Sequence, residues 1–170
     1  LIIFFCDVIT INNNCIFTLI IDVICIEFVY KVIFSFHIKM HNIIKNLLDI
    51  ESKINNRAKI IAVSKTFPID KILPLIEHGH THFGENKVQE AIEKWTEFKK
   101  KNSSIKIHMI GKLQTNKVKS AIKLFDYIHS VDSEKLAKKI ADEQNKLNKR
   151  IKIFLQVNIG DENQKSGINK

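Results

Sequence analysis

The stretch Ile60-Ile61-Ala62-Val63-Ser64-Lys65-Thr66 decides how the rest of this chain is read. An apolar run ends in a serine and a lysine, and Phe67 and Pro68 follow at once, so an amine stands where a strand stops. In α/β folds the ligand crevice lies at the carboxyl ends of the strands, which makes Lys65 a candidate for chemistry. A lysine in apolar surroundings gives up its proton more readily and then attacks carbonyls. The competing reading is a lysine that snorkels from a strand end into water. Alternation places Ile61, Val63 and Lys65 on one face of the strand, and Ile60, Ala62 and Ser64 on the other.

Outward from that stretch, helical and strand patterns alternate. Upstream, Ile43, Ile44, Leu47, Leu48 and Ile50 or Ile54 recur at helical spacing. Residues 59–65 read as a buried strand. Pro68 opens a helix at the position where its missing donor costs nothing, Gly79 closes it, and Pro74 inside it predicts a kink. Residues 82–84 form a short strand. Residues 86–100 form a helix whose apolar face is Val88, Ala91, Ile92, Trp95 and Phe98. Strands over 105–110, 127–131 and 151–159 alternate with helices over 116–125 and from Ser133, a cap, to about Asn148. Such alternation predicts a parallel sheet with helical crossovers, closed either as a doubly wound sheet or as an eight-unit (β/α)8 TIM-type barrel. No G-x-G-x-x-G follows a strand, so the dinucleotide version of the doubly wound fold lacks its motif.

Composition sets residues 1–39 apart. They hold eleven Ile and six Phe but no Gly, Pro, Ala, Arg, Gln, Trp or Met. Asp7, Asp22, Glu27 and Lys31 interrupt the run, against the roughly 20 consecutive apolar residues a membrane helix needs. A signal peptide wants an early basic region, and the first charge is Asp7. The expectation is an AT-rich leader read as coding, with Met40 as the initiator and residues 40–170 as the folded domain. Cys6, Cys15 and Cys25 all lie in the leader, so the domain has no thiol for a disulfide or a metal, which suits a reducing cytoplasm.

The chain's formal net charge of +9 is carried by residues 40–170, which hold 25 Lys and Arg against 15 Asp and Glu, while residues 1–39 hold two Lys against three acids. The lysines are spread over several helices with no aromatic platform between them, so nucleic-acid binding is a remote alternative. His78, His80 and His82 invite a metal, but no carboxylate or cysteine pattern completes a zinc set. Asp161 and Glu162 suggest no glycosidase pair.

The turns after the strands hold unusual residues in a fixed order: AVSKT at 62–66, HFGENKVQE at 82–90, HMIGKLQTNK at 108–117, SVDS at 130–133 and QVNIGDENQKSGI at 156–168. Together they resemble the pyridoxal phosphate homeostasis proteins, a family related to the N-terminal barrel of alanine racemase. The resemblance covers about residues 42–168. It implies a (β/α)8 barrel in which Lys65 forms a Schiff base with pyridoxal 5′-phosphate (PLP). Gly84 would let the backbone approach the cofactor ring and Asn86 would offer a donor and an acceptor, although a turn glycine and an Asn helix cap explain the pair nearly as well. Met109 and Gly111 would sit beside the ring, Met109 with packing as its competing role. Gln114, Asn116 and Lys117 would form a polar rim or a solvated helix start.

Five of eight barrel units are present, and the family's phosphate-holding segment would lie beyond residue 170, so the resemblance implies an incomplete barrel. The function it implies is a noncatalytic, cytoplasmic PLP-binding protein, monomeric or weakly dimeric, that buffers the cofactor or delivers it to PLP-dependent apoenzymes. The alternative is an amino-acid racemase using the same lysine as a base. Racemases of this type take a tyrosine from a second domain, whereas the tyrosines here are Tyr30 and Tyr127.

Overall fold

The computed structural model describes residues 42–55, 57–160 and 166–168. Contacts divide the chain into two units, Leu1–Lys45 and Asn46–Lys170. In the first, residues 42–45 are helical; the expectations for residues 1–39 lie outside the described residues. In the second, residues 46–54 are helical, here α1.

That unit is a five-stranded parallel sheet. Its elements are β1 (Ala62–Val63), α2 (Ile69–Glu77), β2 (His82–Glu85), α3 (Val88–Lys101), β3 (Lys106–Met109), a 3₁₀ turn (Thr115–Lys117), α4 (Val118–Leu124), β4 (Tyr127–Val131), α5 (Glu134–Leu147) and β5 (Lys152–Leu155). The strands lie side by side in sequence order, β1-β2-β3-β4-β5, every pair parallel. A doubly wound sheet reverses its order at a switch point and puts helices on both faces. Here nothing reverses, and right-handed crossovers in one direction set every helix on one face. Of the two closures open to the sequence, this is the barrel type.

The core forms between the sheet and those helices. Phe83, Ile107, Met109 and Ile128 come from alternate strand positions, Val88, Ala91 and Trp95 from α3, Val118, Ala121 and Ile122 from α4, and Leu136 and Ile140 from α5. The opposite face is open, with Val63 49% exposed, so the strand expected to be buried is covered on one side only.

Local signals placed most element ends. Pro68 is the N-cap of α2, the helix runs through Pro74, and Gly79 takes the left-handed φ of 98° that ends it. Ser133 caps α5, its Oγ accepting the Leu136 N–H at 3.4 Å. The first and last strands are shorter than their apolar runs: β1 pairs with β2 at Ala62 and Val63, and β5 with β4 between Lys152 and Leu155.

Trp95 is fully buried, tilted against Phe83 with centroids 5.0 Å apart, and donates its indole N–H to Glu85 at 2.9 Å. Trp95→Ala is expected to cost about 3–5 kcal/mol of unfolding free energy. Urea denaturation checks this, and a loss under 1 kcal/mol would mean that the α3 contact is not central to the core.

Candidate functional site

The carboxyl ends of β1, β2 and β3 meet around one turn. Ser64 extends the β1 ladder by donating its N–H to Gly84 O at 2.9 Å, and its carbonyl accepts the Phe67 N–H at 3.2 Å. Residues 64–67 therefore form a tight turn with Lys65 at its first corner. Thr66, the second corner, has φ 65°, a region that β-branched residues rarely enter. Such a conformation costs about 1–3 kcal/mol and is held only where the surroundings over-determine it. The Thr66 hydroxyl donates to Lys65 O at 2.6 Å. The Lys65 side chain is exposed, and among the described residues its amine has no hydrogen bond or ion pair. The apolar surroundings expected for it are not supplied by these residues, because the sheet walls one side of the amine only.

Glycines shape the next two turns. A Cβ at Gly84 would stand 3.0 Å from Ile110 Cδ1 and 3.2 Å from Ile61 Cγ2, so these side chains close over the bare strand from both sides. Gly111 is stricter: a Cβ there would fall 2.3 Å from Asn86 O, a distance no side chain tolerates. Gly111 thus lets the β3 turn lie against Asn86. The helix-cap reading of Asn86 falls away, since the N-cap of α3 is Lys87.

Met109 takes a different place from the one beside a ring. It is 1% exposed and registers with Glu85 on the helix-covered face. Its outer end contributes to a hollow of about 410 Å³ with Asn86, Lys112, Gln114 and Lys117. A second hollow of about 730 Å³ is lined by Lys112, Gln114, Asn116, Asp132, Ser133 and Ser166 among others. Gln114 lines both hollows, Lys117 the first and Asn116 the second, and Lys65 lines neither.

The open face carries a feature that sequence reasoning missed. His82 Nδ1 lies 2.8 Å from His108 Nε2, and His108 Nδ1 lies 2.9 Å from His129 Nε2, a hydrogen-bonded ladder across β2, β3 and β4. Tyr127 stacks on His108 at 4.2 Å and Phe154 on His129 at 4.5 Å. The available signal was one histidine in each of three successive strands, whereas the histidines close together in sequence are His78, His80 and His82. His80 precedes the strand, its Nε2 against His82 O at 2.8 Å. Among the described residues no group of three or more His, Cys, Asp or Glu is placed to hold a metal.

Comparison with known proteins fits this geometry. The family model of the alanine racemase N-terminal domain matches residues 38–170. The chain belongs to that family. The pyridoxal phosphate homeostasis protein of Pasteurella multocida is 41% identical over 110 residues, 65% of this chain and 47% of that protein. Its counterpart in Haemophilus influenzae is 41% identical over 119 residues, 69% of this chain and 50% of that protein. The chain spans about half the length of these curated relatives. PipY of Synechococcus elongatus PCC7942, solved without PLP and with PLP bound, matches with TM-scores of 0.69 and 0.67 at 38% and 37% identity. Both matches cover 73% of this chain and 57% of PipY. The family's barrel accounts for the sequential parallel order of the strands.

The histidine ladder makes stability depend on pH. Burial first, then the neighbouring His129 and His82, pushes His108 from 6.5 down to about 4. Burial also lowers His82 and His129. Between 6.5 and about 4 the unfolded chain binds a proton at this position that the folded chain refuses. Stability is therefore full above 6.5 and is lost as pH falls toward 4. Thermal melts across that window should show a falling Tm, with a shallower slope in His108→Phe; equal slopes would remove His108 as the cause.

Proposed function

We propose that this chain binds PLP through Lys65 and belongs to a noncatalytic, cytoplasmic system that holds the cofactor and passes it to apoenzymes. The observation that carries the reading is the exposed, unpartnered amine of Lys65 on a strained turn at a strand's carboxyl end. What the described residues offer suits the aldehyde end of the cofactor. The cofactor supplies an aldehyde, which condenses with a neutral primary amine to give a carbon–nitrogen linkage and one water. Lys65 provides that amine. Gly84 and Gly111 keep the neighbouring turns low, and the Asn86 backbone lies against Gly111.

Support also comes from the relatives, which are named pyridoxal phosphate homeostasis proteins, and from PipY, solved with PLP bound. The racemase alternative needs a tyrosine opposite the lysine. Tyr127 opens β4 at its amino end, stacked on His108 and capped by the Lys152 amine 5.3 Å from its ring centroid. The Lys65 turn is at the carboxyl end of the same sheet, so Tyr127 is not placed as that base. No helix among the described residues is long and apolar enough to cross a membrane.

Incubating the chain with PLP, reducing with borohydride and mapping the adduct is expected to place it on Lys65 ahead of the other lysines. Lys65→Ala should lose that peptide adduct. A Lys65→Ala chain labelled to the same extent as the parent would show that the strand-end amine is not the site.

A further inference from the structure

We propose that the buried pair Glu85–Lys94 is a positioning device for Lys65, acting through Ser64; the inference rests on the reading of Lys65 as the cofactor-binding amine. Glu85 ends β2 with its side chain 1% exposed. Three donors converge on its Oε1: the Ser64 hydroxyl at 2.7 Å, the Lys94 amine at 2.8 Å and the Trp95 indole N–H at 2.9 Å. Among the described residues its Oε2 has no hydrogen-bond partner. All the polar contacts of this carboxylate are thus gathered on the atom that faces β1 and α3.

Lys94 does two things at once. Its amine, on a side chain 12% exposed, pairs with Glu85 and also donates to Ser64 O at 2.8 Å. That oxygen belongs to the Ser64–Lys65 peptide and is the same one that accepts the Phe67 N–H across the turn. Every polar group of Ser64 is therefore held: the N–H by Gly84, the hydroxyl by Glu85 and the carbonyl by Lys94 and Phe67. Thr66 keeps its left-handed φ because the peptide before Lys65 cannot rotate. The pair lies on the helix-covered face and Lys65 points from the turn into solvent, so Glu85 and Lys94 set the direction of the amine without touching what it binds.

The test uses the full chain with Glu85→Gln and Lys94→Met combined. Gln keeps an oxygen for Ser64 and Trp95, and no unpaired charge is left behind, so the change isolates the grip on the Ser64 carbonyl. Two quantities are read under conditions where circular dichroism shows the variant folded: the rate of PLP labelling at Lys65 relative to Lys112, and amide hydrogen exchange at Phe67 relative to Ile128. The expected result is at least a tenfold loss of Lys65 preference, with at least tenfold faster exchange at Phe67 and unchanged exchange at Ile128. A folded variant with parental preference and parental Phe67 exchange overturns the proposal, as does equal acceleration at Phe67 and Ile128, which marks general destabilisation. If the double variant does not fold, Ser64→Ala, which removes only the hydroxyl tie, is judged by the same criteria. A parent that shows no preference for Lys65 counts against the cofactor reading instead, and the Phe67 exchange then decides the clamp alone.

Discussion

Each strand of this sheet lies beside its sequence neighbour and parallel to it, and each connection must therefore cross over in the same sense. That constraint gathers the helices on one face, leaves the other face free, and delivers all five carboxyl ends to one edge. Residues far apart in sequence become neighbours there. Gly111 meets Asn86, Ser64 meets Glu85, and Lys112 reaches Ser166 at 3.2 Å, across 54 residues. A reversal of strand order would have scattered the same side chains over two faces.

The two faces of the sheet divide the work. On the helix-covered side, apolar packing around Trp95 surrounds one carboxylate, whose three donors join β1, β2 and α3. A buried ion pair is weak evidence for net stability, since desolvation offsets much of the attraction. Its geometry here favours a directional role, because Lys94 reaches past Glu85 to the backbone of the turn. On the open side, three histidines form a continuous hydrogen-bonded row below that turn. In the neutral row the central ring, His108, donates from one nitrogen and accepts at the other, so the tautomers of all three are coupled.

Much of the fold was legible because its signals are local. Pro68, Gly79 and Ser133 mark helix ends by backbone chemistry that acts within a few residues, and the apolar face of α3 follows helical spacing. Lys65 was legible because an amine at the end of an apolar run is unusual. Met109, weighed between a place beside the ring and packing, follows alternation: one position after His108, it points to the other face, into the core. Glu85 and Lys94 were not legible as a pair. A glutamate before an asparagine reads as turn polarity, and a lysine in a helix reads as a solvated side chain, until strand register sets both against Ser64. The histidine ladder was hidden for the same reason, its members being 26 and 21 residues apart.

The central claim is that a strained, clamped turn presents Lys65 as a nucleophile toward an aldehyde cofactor. Its most direct test is a titration of the full chain with PLP, followed by the absorbance of the carbon–nitrogen linkage, in the parent and in Lys65→Arg. Arginine keeps the charge and the reach but does not condense with the aldehyde at neutral pH. The account predicts a saturating change equivalent to one linkage per chain in the parent and none in Lys65→Arg. A saturating change of equal size in both, or in neither, would contradict it.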